Sequence, residues 1–103
     1  MIYLSAGHHP RRPGVSFKGL SEHREMALWV NRIAQFTDMV SVVPVGTISD
    51  KTRFINSHCN DNDLAVELHL GTDITGSVIY RDPRDDQINL LSVDLASSLS
   101  NWF

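Results

Sequence analysis

Hydrophobic and polar positions alternate most strongly over residues 63–71. There Leu64, Val66, Leu68 and Leu70 interleave with Ala65, Glu67 and His69. A period of two sends each set to its own face of a sheet. The run therefore reads as a central strand with one aliphatic face and one face carrying a carboxylate and an imidazole, ended by Gly71. Residues 1–6 form a first strand, stopped by Gly7-His8-His9-Pro10, because glycine permits a tight turn and proline cannot continue a ladder. Residues 39–45 form a second strand on the β-branched Val40, Val42 and Val43, with Pro44 at its end. Residues 76–81 form a fourth, which Asp82-Pro83-Arg84 turns away. Residues 11–19, with Val15 and Phe17 as their only apolar anchors, read as a surface loop.

Helical spacing appears in Met26, Trp29, Val30 and Ile33, which follow i, i+3, i+4, i+7 and predict one buried stripe. Ser21 is suited to cap that helix and Glu22 to open it. A short helix, capped by Ser49 or Asp50, runs to Cys59 with Phe54, Ile55 and His58 on one side. A last helix from Asp85 turns Ile88, Leu91 and Leu95 inward. Strands alternating with helices predict the α/β class. The expected architecture is a single domain over residues 1–103, a mostly parallel twisted sheet with helices on both faces.

Composition narrows the function classes. A chain of 103 residues suffices for one domain with a real core. Its 42% hydrophobic and 20% charged content is ordinary for a globular protein. A net charge of −3 offers no broad basic footprint for nucleic acid. No apolar run approaches the roughly 18 residues of a membrane span. The single cysteine, Cys59, cannot form an internal disulfide, which fits synthesis in a reducing compartment. The N-terminus lacks the pattern of a signal peptide, so synthesis in the cytoplasm without one is expected. The last helix stops on Trp102-Phe103 with no Gly or Pro signal, which predicts a C-terminally short chain.

Three polar residues stand out against this frame. His8 follows the first strand, Glu22 falls on the core-facing line of its helix, and His69 ends the central strand. Each has a bland reading: a histidine satisfied by nearby backbone, or a glutamate on a frayed, solvated first turn. If the first and third strands are neighbours, however, all three meet at the carboxyl edge of the sheet, where open α/β sheets keep their ligands. Two imidazoles and one carboxylate with an open fourth position are the ligand set of a catalytic zinc. Such an ion lowers the pKa of water towards about 7 and polarises a carbonyl. His58 and Cys59 do not converge as helical neighbours and read as structural.

The chain resembles the zinc-dependent N-acetylmuramoyl-L-alanine amidases of bacterial wall remodelling and phage endolysins. The likeness rests on Ser5-Ala6-Gly7-His8, Ser21-Glu22, Arg53 with Asn56, and Glu67-Leu68-His69-Leu70, in order, with residues 76–80 resembling the strand that follows the second histidine. The resemblance implies that His8, Glu22 and His69 hold Zn2+, with His8 favoured over His9 as the residue directly after the glycine. His9, His23 and His58 are then not ligands. It further implies a peptidoglycan substrate, cleaved at the amide between muramic acid and the first alanine, and action at the bacterial cell wall.

Two departures accompany the likeness. Many relatives place an asparagine soon after the second histidine, where this chain has Gly71-Thr72-Asp73. The family also continues into a strand that carries a catalytic glutamate, whereas nothing follows Phe103 here. Glu67 shares a face with His69 and is the candidate for that role, or for support of the ligand from behind. The expectations are slowed hydrolysis and an unpaired sheet edge open to a second copy of the chain. Two other classes stay open: a different zinc hydrolase, such as a peptidase, and a non-catalytic zinc- or wall-binding domain.

Overall fold

The structure, a computed structural model, describes residues 1–71 and 85–100. The chain forms two compact units, Met1–Gly71 and Thr72–Phe103. The class is α/β, with a parallel three-stranded sheet and three helices among the described residues. In the first unit β1 (Ile2–Ala6) lies between β4 (Val40–Val42) and β5 (Leu64–Leu68). Two further short strands, β2 (Ser16–Phe17) and β3 (Leu20–Ser21), pair with each other. Helix α1 (Glu22–Phe36) connects β1 and its ribbon to β4, and α2 (Ile48–His58) connects β4 to β5. These helical crossovers allow neighbouring strands to run parallel. Among the described strands the middle place therefore belongs to β1 rather than to the 63–71 run, whose long aliphatic face made it look central.

Register decides what meets what. Leu4 pairs with Val42 on one side and Val66 on the other, Ser5 with Glu67, and Ala6 with Leu68. Leu4, Ala6, Val40, Val42, Val66 and Leu68 share one face, against which Met26 and Val30 of α1 pack. Burying a side chain such as Val30, 1% exposed, contributes roughly 1.5–3 kcal/mol. On the opposite face Tyr3 stands edge-on to Phe54 of α2 at 6.2 Å and donates its hydroxyl to the His58 carbonyl. His58 itself reaches the Phe54 carbonyl through Nδ1 at 2.7 Å, which matches its structural reading.

Several expectations are corrected. Trp29 is 52% exposed, with the Arg32 guanidinium 5.9 Å from its ring. The inward line of α1 runs through Glu22, Met26, Val30 and Ile33, flanked by His23 and Ala27, and so turns away from Trp29. Ser21 precedes α1 but makes no side-chain cap. The Glu22 and His23 amides instead donate to the carbonyls of Val15 and Pro13, so the loop backbone does the capping. The 11–19 loop contains β2, which pairs with β3 just beyond the loop, and its supposed anchors Val15 and Phe17 are exposed.

Helix α2 is capped by Thr47 rather than Ser49 or Asp50. The Thr47 hydroxyl accepts from the Asp50 amide while the Asp50 carboxylate accepts from the Thr47 amide, a capping box. Thr47→Ala is expected to cost about 1 kcal/mol in denaturant unfolding. The Thr47 amide, then its hydroxyl, hold the Asp50 carboxyl below its ordinary value of 3.8. A depressed folded-state pKa adds stability above the ordinary value, and that stability is lost as pH falls through the lower one. The stability difference between Asp50→Ala and the unchanged protein should therefore shrink in acid. A difference that persists undiminished well below the lowered pKa would contradict this.

In the second unit α3 (Asp86–Ser100) is preceded by Asp85, whose carboxylate accepts from the Ile88 amide at 3.0 Å. Ile88 is half-buried, but Leu91 and Leu95 remain 42% and 43% exposed, so the expected inward face is only partly covered. It is still better covered than Leu90 and Val93, at 70% and 60%. The predicted strand over 76–81, the turn at 82–84 and the Trp102-Phe103 end lie outside the described residues. Among the described residues no helix is long and apolar enough to cross a membrane.

Candidate metal centre

The pairing of β1 with β5 carries the chain ends of both strands to one edge. Gly7 follows Ala6 and donates its amide to the Leu68 carbonyl at 2.7 Å, which extends the ladder one step beyond the strands. The His69 ring then crosses over Gly7. A Cβ on residue 7 would stand 2.6 Å from His69 Cε1 and 2.8 Å from the Leu68 carbonyl oxygen. Glycine at this place makes room for the imidazole. His8, one residue on, takes a left-handed backbone with φ of 63°. That conformation costs an L-residue roughly 1–2 kcal/mol, so other contacts must hold it.

Glu22 receives both histidines. It is 3% exposed at the first position of α1. His69 Nδ1 lies 2.9 Å and His8 Nε2 3.1 Å from its Oε2, and the two rings stand edge to face at 5.2 Å. The Val15 amide donates to Oε1 and the Leu70 amide to Oε2, each at 3.2 Å. Burial alone would raise the carboxyl pKa. The Val15 amide, His69, the Leu70 amide and the charge of His8 outweigh it, and the net direction is down. The site thus presents an anion that is buried yet fully hydrogen-bonded.

One donor atom from each of His8, Glu22 and His69 falls within 4.8 Å of the other two. Donors bound at about 2.0–2.2 Å to a four-coordinate ion stand roughly 3.3 Å apart. The 2.9 and 3.1 Å separations are close to that spacing. Two imidazoles and one carboxylate also suit a divalent ion in charge and donor type. The three residues singled out in the sequence are brought together, and the group is able to hold a metal ion. Gly14 closes the cradle. With φ of 80°, it passes so near that a Cβ there would lie 2.5 Å from both Glu22 Oε1 and His8 Cδ2.

Glu67 stands behind His69. Its Oε1 accepts from His69 Nε2 at 2.7 Å, while Oε2 accepts from Ser5 Oγ at 3.0 Å and from Lys51 Nζ at 3.1 Å. Burial raises its pKa, but the hydrogen bonds from Lys51, His69 and Ser5 prevail and the net shift is down. Histidines that bind metals commonly hand their second nitrogen to a carboxylate in this way, which fixes the ring's orientation. The backbone of His9 pairs with that of Arg12 in an isolated bridge, and the Arg53 guanidinium makes a solvent-exposed 3.8 Å contact with Asp50.

Two residues of the site were missed in the sequence. His23 is 6% exposed and places Nδ1 2.9 Å from the Gly7 carbonyl oxygen, supporting the His8 turn. Lys51 is 5% exposed and reaches the carbonyls of Ala6 and His8 as well as Glu67. A signal existed for both. His23 leads Met26, Ala27 and Val30 at i+3, i+4 and i+7, and Lys51 leads Phe54, Ile55 and His58 at the same intervals. A polar residue on an apolar helical line is either wasted or used. Comparison of the chain with known protein families, with curated proteins and with solved structures finds no match.

Proposed function

We propose that the chain is a zinc-dependent hydrolase of peptidoglycan, cutting the amide between N-acetylmuramic acid and L-alanine. The observation that carries the reading is the convergence of His8 Nε2, Glu22 Oε2 and His69 Nδ1 at the carboxyl ends of β1 and β5. The likeness of their sequence contexts to the wall amidases supplies the substrate, and the bacterial cell wall is then the place of action. The same reading extends the fold to a twisted sheet with helices on both faces.

Zinc, when bound, lowers the pKa of water and polarises the scissile carbonyl. The chain's own residues do the rest. Glu22 contributes one negative charge and leaves the site net positive once a divalent ion is held. His8 and His69 supply nitrogens from just beyond the ends of two strands whose register sets their spacing. Glu67, as a carboxylate with a lowered pKa, accepts a hydrogen bond from His69 Nε2 and keeps Nδ1 turned towards Glu22. With three donors already on it, Glu67 acts through His69 rather than as the group that protonates the leaving amine.

The test pairs metal content with product analysis. Purified protein is expected to bind one zinc per chain and to release alanine amino groups from peptidoglycan, with loss of turnover after chelation and recovery on adding zinc. Release of other amino groups would point to a different zinc peptidase. Bound zinc without turnover would leave a non-catalytic binding domain. No zinc bound would remove the reading altogether.

A further inference from the structure

We propose that Lys51 is the positioning residue of the site, setting both histidines from one buried nitrogen; this rests on the metal-binding reading above. A lysine ammonium is rarely buried unless fully partnered. At 5% exposure, Lys51 Nζ has an acceptor for each of its three protons: the Ala6 carbonyl at 2.5 Å, the His8 carbonyl at 2.8 Å and Glu67 Oε2 at 3.1 Å. Its amine is therefore spent entirely on the surroundings of the candidate ligands.

Two routes lead from that nitrogen. The first runs through the backbone. The Ala6 and His8 carbonyls bracket Gly7, whose own carbonyl faces His23 Nδ1. Three consecutive carbonyls are thus held by two side chains, across the turn where His8 adopts its left-handed backbone. Without these contacts His8 is free to relax to an ordinary conformation, which would carry Nε2 away from Glu22. The second route runs through Glu67, which Lys51 and Ser5 fix by one oxygen so that the other meets His69 Nε2. The routes end on the two different histidines and converge on one Glu22 oxygen.

The arrangement needs lysine in particular. Its three donors radiate from one point on a flexible stem, whereas the guanidinium of arginine is a planar fork. Lys51→Met keeps a stem of similar length but removes the charge and all three donors. Zinc affinity of this variant, measured by competition with a chromophoric chelator, is expected to fall 10–100-fold, the usual effect of removing support behind a ligand. The visible bands of the cobalt(II)-loaded variant should also differ from those of the unchanged protein. A residue that merely stabilised the fold would leave those bands in place. Glu67→Gln cuts only the second route and should weaken zinc less than Lys51→Met. Added to Lys51→Met, it should cost less than its separate effect.

A folded Lys51→Met protein with wild-type zinc affinity and an unchanged cobalt spectrum would overturn the inference while leaving the metal reading standing. Failure of the unchanged protein to bind zinc would remove both. The unchanged protein also gives a direct check that does not depend on the variant folding. Its 15N spectrum should contain a slowly exchanging lysine ammonium signal, assigned to Lys51 by its connection to the carbonyls of Ala6 and His8. A Lys51 ammonium exchanging as fast as those of Lys18 would refute the positioning role.

Discussion

His69→Ala is expected to remove stoichiometric zinc from the purified protein, and His8→Ala to do the same, while His9→Ala and His58→Ala retain it. The reasoning is one of donor count. A three-residue site that loses one imidazole keeps a single imidazole and a carboxylate, and the loss should exceed the 10–100-fold typical of outer partners. His69 carries the larger effect because its removal also strips a hydrogen bond from both Glu22 and Glu67. His8 discriminates between neighbours: its Nε2 is 3.1 Å from Glu22, whereas His9 pairs with Arg12 through its backbone and is not one of the three residues that converge. Zinc content by elemental analysis, with circular dichroism to verify folding, decides the matter. A His8→Ala protein with full zinc and a His9→Ala protein without it would reverse the assignment.

Gly14→Ala should also weaken metal binding, although residue 14 has no side chain to offer. Gly14 and Gly19 form a matched pair, with φ of 80° and 81°. Alanine at either place incurs the left-handed backbone cost of roughly 1–2 kcal/mol. At Gly19 the added Cβ meets nothing within 4 Å, so strain is the whole effect. At Gly14 it comes within 2.7 Å of His8 Nε2 and 2.5 Å of Glu22 Oε1, two of the donor residues. Both variants should lose similar stability to strain, while only Gly14→Ala loses zinc affinity, by at least about tenfold if its effect matches that of a lost outer partner. Equal zinc affinity in the two variants would show that the approach of Gly14 to the site does not matter.

Much of this molecule is legible in its sequence. Strand periodicity placed β1, β4 and β5, and helical spacing placed α1 and α2, because those patterns follow from backbone geometry alone. The three anomalous residues were legible for the same reason: each broke a pattern at an element boundary. Glu22 is the clearest case, since a carboxylate on a core-facing line must be solvated or bound, and here it is 3% exposed and held by two amides. Caps and exposures were less legible. Thr47 rather than Asp50 began α2, and Trp29 turned outward, because both depend on where the chain goes next rather than on local spacing.

By itself the sequence determined the alternation of strands and helices and which residues had no ordinary reason to be where they are. Tertiary structure alone decided how those residues face each other. The register of Ser5 with Glu67 and Ala6 with Leu68 sets Gly7 beneath the His69 ring, and no pattern within either strand specifies a pairing between them. Lys51 belongs wholly to this second kind. On its helix it is one polar residue ahead of an apolar stripe. Only the packing of α2 beside the ends of β1 and β5 brings its nitrogen to two carbonyls and a carboxylate, 43, 45 and 16 residues away in the chain. Local patterns record what each segment prefers, whereas contacts at such separations exist only once the chain has closed.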